Sequence, residues 1–283
     1  MLKRTISGAV FVATVAGFLL LRQFVDYRIF NILIWFFCSV GTFELARALQ
    51  PFILKGGRLI ISIFGFLFVP HFCIIEYFVK PSMGWLFALA LVLLFIIITT
   101  IIAIYIKSGI KKCLVTMFAF LYPSLLLLCL LLINEMPFML GFSGVLMVFV
   151  VASLADTFAY LVGMTYGKIK KGNVKKLCPK LSPNKTWAGA IGGVVGGIIG
   201  AILVCVIFKP QVNFFSPILL FALVGFFASI FTEIGDLFES FIKRKVGIKD
   251  MGEIMPGHGG VMDRIDGMVF ASAVIFLVFV LVV

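Results

Sequence analysis

The sequence predicts an all-α polytopic membrane protein of about nine transmembrane helices with its N-terminus in the cytoplasm. Three observations carry that expectation. Hydrophobic residues make up 63% of the 283 positions and charged residues 13%, with a mean hydropathy of +1.22. A soluble domain carries roughly a quarter charged residues, so this chain cannot clothe a water-facing surface and lipid must be its solvent. Nine stretches approach the ~20 apolar residues that a bilayer core requires. Finally, with the N-terminus placed inside, alternate connections hold twenty Lys and Arg on the cytoplasmic side and four on the other, a strong positive-inside bias.

The expected spans, in order, begin with 5–25. Lys3 and Arg4 precede it as they would a signal peptide, but the apolar run is long for an h-region. No clear small-residue cleavage site follows before Arg22, so it reads as a retained span. Spans follow at 29–49, 59–79, 84–106 and 113–133, with kinks expected at Pro70 and Pro123. These runs are continuous and lack the alternation of a membrane β-barrel. Together they form a predicted N-terminal scaffold, 1–137. Glu44, His71 and Glu76 fall within or at the edges of these spans. An intramembrane ionisable residue suggests function by default; the competing structural reading pairs Glu44 with Arg47 one turn on and puts the other two near the membrane surface.

The remaining part, 138–283, is the predicted catalytic region, with spans at 138–164, 187–208, 217–238 and 267–283. Its two cytoplasmic loops, about 165–187 and 239–266, hold 12 of the 24 basic residues. A basic cytoplasmic face suits anionic lipid and nucleotide phosphate. Nucleic acid fits poorly, because the charges lie between spans with no recognisable binding module. The span 187–208 carries two glycine faces, Gly189/Gly193/Gly197 and Gly192/Gly196/Gly200. Such faces let helix backbones approach closely, either within the chain or at a dimer seam. The six cysteines form no CxxC pair and match no zinc spacing.

Chemistry concentrates in three places. The run Ser240 to Asp266 sets Lys243, Arg244, Lys249 and Arg264 beside Asp250, Asp263 and Asp266, with His258 and a Gly-rich turn at 257–260. Basic groups neutralise phosphates, glycines admit a ligand close to the backbone, and carboxylates suit hard cations. Asp263 and Asp266 share a side if span 9 has begun there, and Glu233 and Asp236 are likewise three apart in span 8. Acids at that depth need a partner or a metal; metal-assisted phosphoryl transfer is one reading and charge pairing between helices the other. A second segment, Leu181 to Gly193, opens with a turn at Ser182-Pro183 and offers Lys185 and Thr186 ahead of a helix N-terminus that attracts anions; an ordinary cap with a snorkelling lysine is the alternative. In span 6, Asp156, Tyr160, Gly163 and Gly167 make one polar, small-residue face. Asp156 there serves either a ligand cavity or a lysine on another helix. GMTYGK at 163–168 is one residue short of a Walker A loop and lacks its Ser/Thr.

The pattern Ser240, Lys243, Arg244, Lys249, Asp250, His258, Gly259, Gly260, Asp263, Arg264 and Asp266 resembles the signature of the phosphatidate cytidylyltransferases, or CDP-diacylglycerol synthases. The upstream SPNKT and the Asp156 segment resemble that family in order and spacing. The resemblance implies an inner-membrane homodimer whose site faces the cytoplasm and transfers CMP from CTP to phosphatidic acid. It implies Mg2+, optionally with a second cation, held by Asp236 and Asp263 with Glu233 nearby. Lys243, Arg244, Lys249, Asp250, His258, Arg264 and Asp266 would be the catalytic set. Asp156, Ser182, Lys185, Thr186, Gly259 and Gly260 would bind substrate. One position departs: family members usually carry Glu two residues after the Thr of SPxKT, where this chain has Ala188.

Two rivals stand. A cytidylyltransferase or CTP-dependent kinase with another lipid acceptor would look similar in its nucleotide part. An ion-coupled transporter would use the same intramembrane acids, although here they crowd one membrane face. Asp263-x-x-Asp266-Gly267 also opens like a CDP-alcohol phosphotransferase motif, but Met-Val-Phe-Ala follows without the Ala-Arg pair.

Overall fold

A computed structural model describes residues 2–210, 216–255, 257 and 259–282, with side chains at all of these except 2–5 and 138. Nine helices long and apolar enough to cross a membrane are present among them. They are α1 (Leu2–Phe24), α2 (Phe30–Ala48), α3 (Gly57–Ile74), α4 (Gly84–Tyr105), α5 (Ile110–Asn134), α6 (Phe138–Ile169), α7 (Trp187–Phe208), α8 (Pro217–Val246) and α9 (Met262–Val282). This is a multi-pass membrane protein. α3 and α5 run continuously through Pro70 and Pro123.

The helices form two compact units. One comprises Met1–Leu131 with Val246–Arg264, the other Leu132–Lys245 with Ile265–Val283. Compactness thus places 246–264 with the first five spans, a grouping that a division at 137/138 does not contain.

In the first unit α2 packs on α3 and α3 on α4. Gly65 permits the α2–α3 approach, since a Cβ there would strike Thr42. The Trp35 indole N–H donates to the Phe66 carbonyl at 2.9 Å. Phe64, Phe95 and Phe120 bring α3, α4 and α5 together around an aromatic core, with ring centroids 4.3 Å apart for the last pair. A π-helical turn, Ile75–Val79, ends α3 and carries Glu76, which accepts the Ser82 and Gly84 N–H groups and so ties down the start of α4. By contrast α1 is only 11% buried over its span, which leaves most of its apolar surface to lipid.

In the second unit the two glycine faces of α7 are both consumed inside the chain. A Cβ on Gly192 or Gly196 would come within 2.7 Å of Val162 or Phe158 on α6. A Cβ on Gly197 would strike Ser229 on α8, and one on Gly189 would approach the Ala159 carbonyl to 2.8 Å. α7 therefore nests between α6 and α8 at backbone distance, as small-residue faces allow.

Three local expectations change. α6 continues to Ile169 and α8 to Val246, so the connections are shorter than 165–187 and 239–266. Ser240, Lys243 and Arg244 accordingly stand on helix, not loop. Basic residues in the last turn of α8 suit the negative end of the helix dipole and can reach water on long stems. Ser182-Pro183 does not begin a turn. Residues Ser182–Thr186 form strand β2, paired antiparallel with β1 (Lys176–Cys178). Pro183 is tolerated there because a two-stranded ribbon has free edges.

Candidate active site

In the second unit a cavity of about 890 Å³ opens between α6, the hairpin, α7 and α8, within the size range of small-molecule sites. The face predicted on α6 lines it: Asp156, Tyr160, Gly163 and Gly167 all border the space. Lys185 and Thr186 enter from β2, and Glu233 and Asp236 from α8. The hairpin explains why Lys185 arrives there. Strand β2 ends at Thr186, whose extended backbone and side-chain oxygen cap α7 by accepting the Gly189 N–H at 3.1 Å. Such caps fix the entry of chain into helix.

Lys185 Nζ is the centre of the cavity's charge. It lies 2.9 Å from Glu233 Oε2 and 2.7 Å from Asp236 Oδ2. Two carboxylate oxygens one helical turn apart therefore converge on one cationic point. Burial would lower the pKa of the ammonium, but the charges of Asp236 and Glu233 outweigh it, so the pKa stands above the ordinary lysine value. Asp156 also lies within electrostatic range of Lys185, Glu233, Asp236 and Asp266. Ser182, expected beside Lys185 and Thr186, does not border the cavity.

Next to the cavity acids, α8 carries an acid that the sequence reading passed over. Glu239 is fully buried, pairs with Lys243 at 3.2 Å, and lies beside the Asp266 side chain. Its i,i+4 spacing to Lys243 is the signal that could have exposed it. Arg244 is exposed beyond it.

In the first unit the loop from Val246 to α9 carries the rest of the signature. Asp263, in the first turn of α9, accepts the N–H groups of Met251 and Gly260 on one oxygen, Oδ2, at 2.8 Å each. A short bridge joins Met255 to Gly259, and Gly257 and Gly259 adopt φ of 78° and 89°, a region that side-chain-bearing residues seldom enter. Lys249 and Asp250 are exposed and line a second cavity of about 930 Å³ with Arg47 and Gln50. Arg264 is half-buried on α9. His258 lies outside the described residues.

Glu44 is the largest surprise in this unit. It does more than neighbour Arg47: its two oxygens accept the N–H groups of Val261 and Met262 at 3.1 and 2.9 Å. The spans alone contain no signal for that contact, because the acceptor and its donors are more than 200 positions apart.

The sequence profile of the cytidylyltransferase family matches residues 2–282. The chain belongs to that family. Among relatives, it is similar to the phosphatidate cytidylyltransferase of Brucella abortus biovar 1 (strain 9-941), 40% identical over 144 residues that cover 51% of this chain and 48% of that protein. It is 42% identical over 135 residues to the enzyme of that name from Staphylococcus haemolyticus (strain JCSC1435), covering 46% of each chain. With the Mycobacterium leprae (strain TN) protein of the same name the identity is 41% over 130 residues, or 46% of this chain and 37% of that one. The matched segment thus spans about half the length of these relatives or less. Each unit gathers cations that suit phosphate and oxygens that suit a hard metal.

The donor set can be tested against a divalent cation. Glu233, Asp236 and Asp156 border one cavity, and oxygen ligands of this kind suit Mg2+. Among the described residues no three Asp, Glu, Cys or His side chains already sit at coordinating distance; Lys185 holds the point where Glu233 and Asp236 converge. Glu233 and Asp236 thus offer two oxygens of the right kind, and Lys185 is the group that would have to share or yield the point between them.

Proposed function

We propose that this protein transfers CMP from CTP to phosphatidic acid, yielding CDP-diacylglycerol and pyrophosphate for phospholipid synthesis. The observation that carries the reading is the Lys185–Glu233–Asp236 constellation in the 890 Å³ cavity, in a chain that belongs to the cytidylyltransferase family. A phosphate oxygen of phosphatidic acid attacks the α-phosphorus of CTP. The bond from that phosphorus to the bridging oxygen breaks, and pyrophosphate leaves with the electron pair.

Such a transfer asks mainly for positioning and charge neutralisation. Lys185 would meet the triphosphate, with Thr186 at the cavity wall beside it. Glu233 and Asp236 would hold Mg2+, which would supply neutralisation of charge on the leaving pyrophosphate. Asp156 borders the same cavity as Lys185, and Lys243 and Arg244 on α8 are proposed to supply positive charge for phosphate. An inner-membrane location with the site facing the cytoplasm accords with the twenty-to-four distribution of basic residues. The reading includes a homodimer, whose seam would not use the α7 glycine faces, since both are packed within the chain.

The test is pyrophosphate release by the purified protein in detergent, with and without phosphatidic acid and Mg2+. Release that needs both, with CDP-diacylglycerol as the lipid product, is expected. Release with a different lipid product would shift the acceptor, and solute flux into liposomes without pyrophosphate would replace the reading with transport. Silence is answered by Ala188→Glu. Recovery would mark this chain as an altered member of the family, and continued silence would sink the proposal.

A further inference from the structure

We infer that Glu44, far from the signature in sequence, is the positioning residue of the signature loop. Glu44 stands near the end of α2 and is 1% exposed. A buried carboxylate demands partners, and this one finds them in the first N–H groups of α9. Oε1 accepts from Val261 at 3.1 Å and Oε2 from Met262 at 2.9 Å. Those N–H groups have no partner within their own helix, and the positive end of its dipole faces the charge. Glu44 therefore caps α9 from another helix.

The loop is shaped around the carboxylate. A Cβ on Gly252 or on Gly260 would collide with the Glu44 side chain, so both positions need glycine for a reason unrelated to ligand approach. Asp263 closes the arrangement from inside the loop by accepting from Met251 and Gly260. Between them the two acids take up four consecutive or neighbouring loop amides, at 251, 260, 261 and 262. Lys249 precedes the first of these and Arg264 follows the last, so the basic groups expected to handle phosphate are hung on a frame that Glu44 holds.

Only the turnover arm of the test rests on the proposed cytidylyl transfer. Amide hydrogen exchange of the full-length protein in detergent is compared between wild type and Glu44→Gln, alongside pyrophosphate release. Gln keeps one acceptor oxygen and loses the charge and the second acceptor. Exchange across 251–264 is expected to rise at least about tenfold, with the hairpin 176–186 unchanged. kcat/KM should fall at least about tenfold, with the Mg2+ dependence unaltered. Gly252→Ala, which crowds the same carboxylate from the loop side, should reproduce the exchange result and carries the comparison if Glu44→Gln fails to fold. Unchanged exchange in the folded variant overturns the inference, as does raised exchange with normal turnover. Silence that persists in Ala188→Glu would defeat the proposed function, while the exchange comparison would still decide whether Glu44 holds the loop.

Discussion

Two acidic clusters, one in each compact unit, solve the same problem in opposite ways. In the first unit Glu44 and Asp263 are satisfied by backbone N–H groups. In the second, Glu233 and Asp236 are satisfied by one ammonium, Lys185. Backbone donors cannot leave without unmaking the loop, so the first arrangement is architectural. A lysine on a strand beside a cavity can turn toward a phosphate and leave two converging oxygens to a metal. The partner of an acid thus separates one that builds the site from one free to change partners during a reaction.

The comparison can be broken most severely at Asp236. Asp236→Asn should cut pyrophosphate release by about a thousandfold while the protein unfolds near its usual temperature, because Asn still offers Lys185 an oxygen. A variant that keeps its turnover would remove Asp236 from the reacting set. Asp263 sharpens the contrast next. Asp263→Ala strips acceptors from two loop amides and should cost about 2–3 kcal/mol of stability, whereas Asp263→Asn should recover most of it. The turnover of the folded Asn variant then tests Asp263 directly. Near-normal turnover with unchanged Mg2+ dependence would make it purely architectural.

Lys185→Met tests the second cluster from the other side. It leaves Glu233, only 11% exposed, without its cation. A loss of about 2 kcal/mol is expected, discounted because Asp236 is 37% exposed to solvent. The KM for CTP should rise about tenfold, and an unchanged KM would deny Lys185 its place at the triphosphate. The smallest effect is in pH. A lysine whose pKa is raised on folding contributes fully below its unfolded value of 10.5 and loses that contribution as pH climbs through the raised one. The stability gap between wild type and Lys185→Gln should therefore stay flat from about pH 7 to 9 and close only in stronger alkali. A gap that closes near neutrality would contradict the ion pair.

Much of this was legible in the residues. Continuous apolar runs gave the nine spans, because a bilayer imposes one length and leaves the helix no outside partner for its backbone. The i, i+4, i+7 recurrence of Asp156, Tyr160 and Gly163 located a cavity wall, since helical period alone puts those positions on one face. The four-residue glycine spacing promised close packing on two faces, and α6 and α8 supply it. Periodicity reads surfaces of single elements well.

It does not read pairings between elements. Nothing in the local pattern joins Lys185 to acids 48 and 51 positions later, or Glu44 to amides 217 and 218 positions away. A backbone N–H is the same at every residue but proline, so a carboxylate that seeks one leaves no mark of its target in the composition. The sequence by itself determined a membrane-embedded helical bundle, its basic face and the family its motifs resemble. Only the tertiary structure decided which acid takes a lysine and which takes an amide, because that choice depends on what the fold brings within about 3 Å of a carboxylate oxygen.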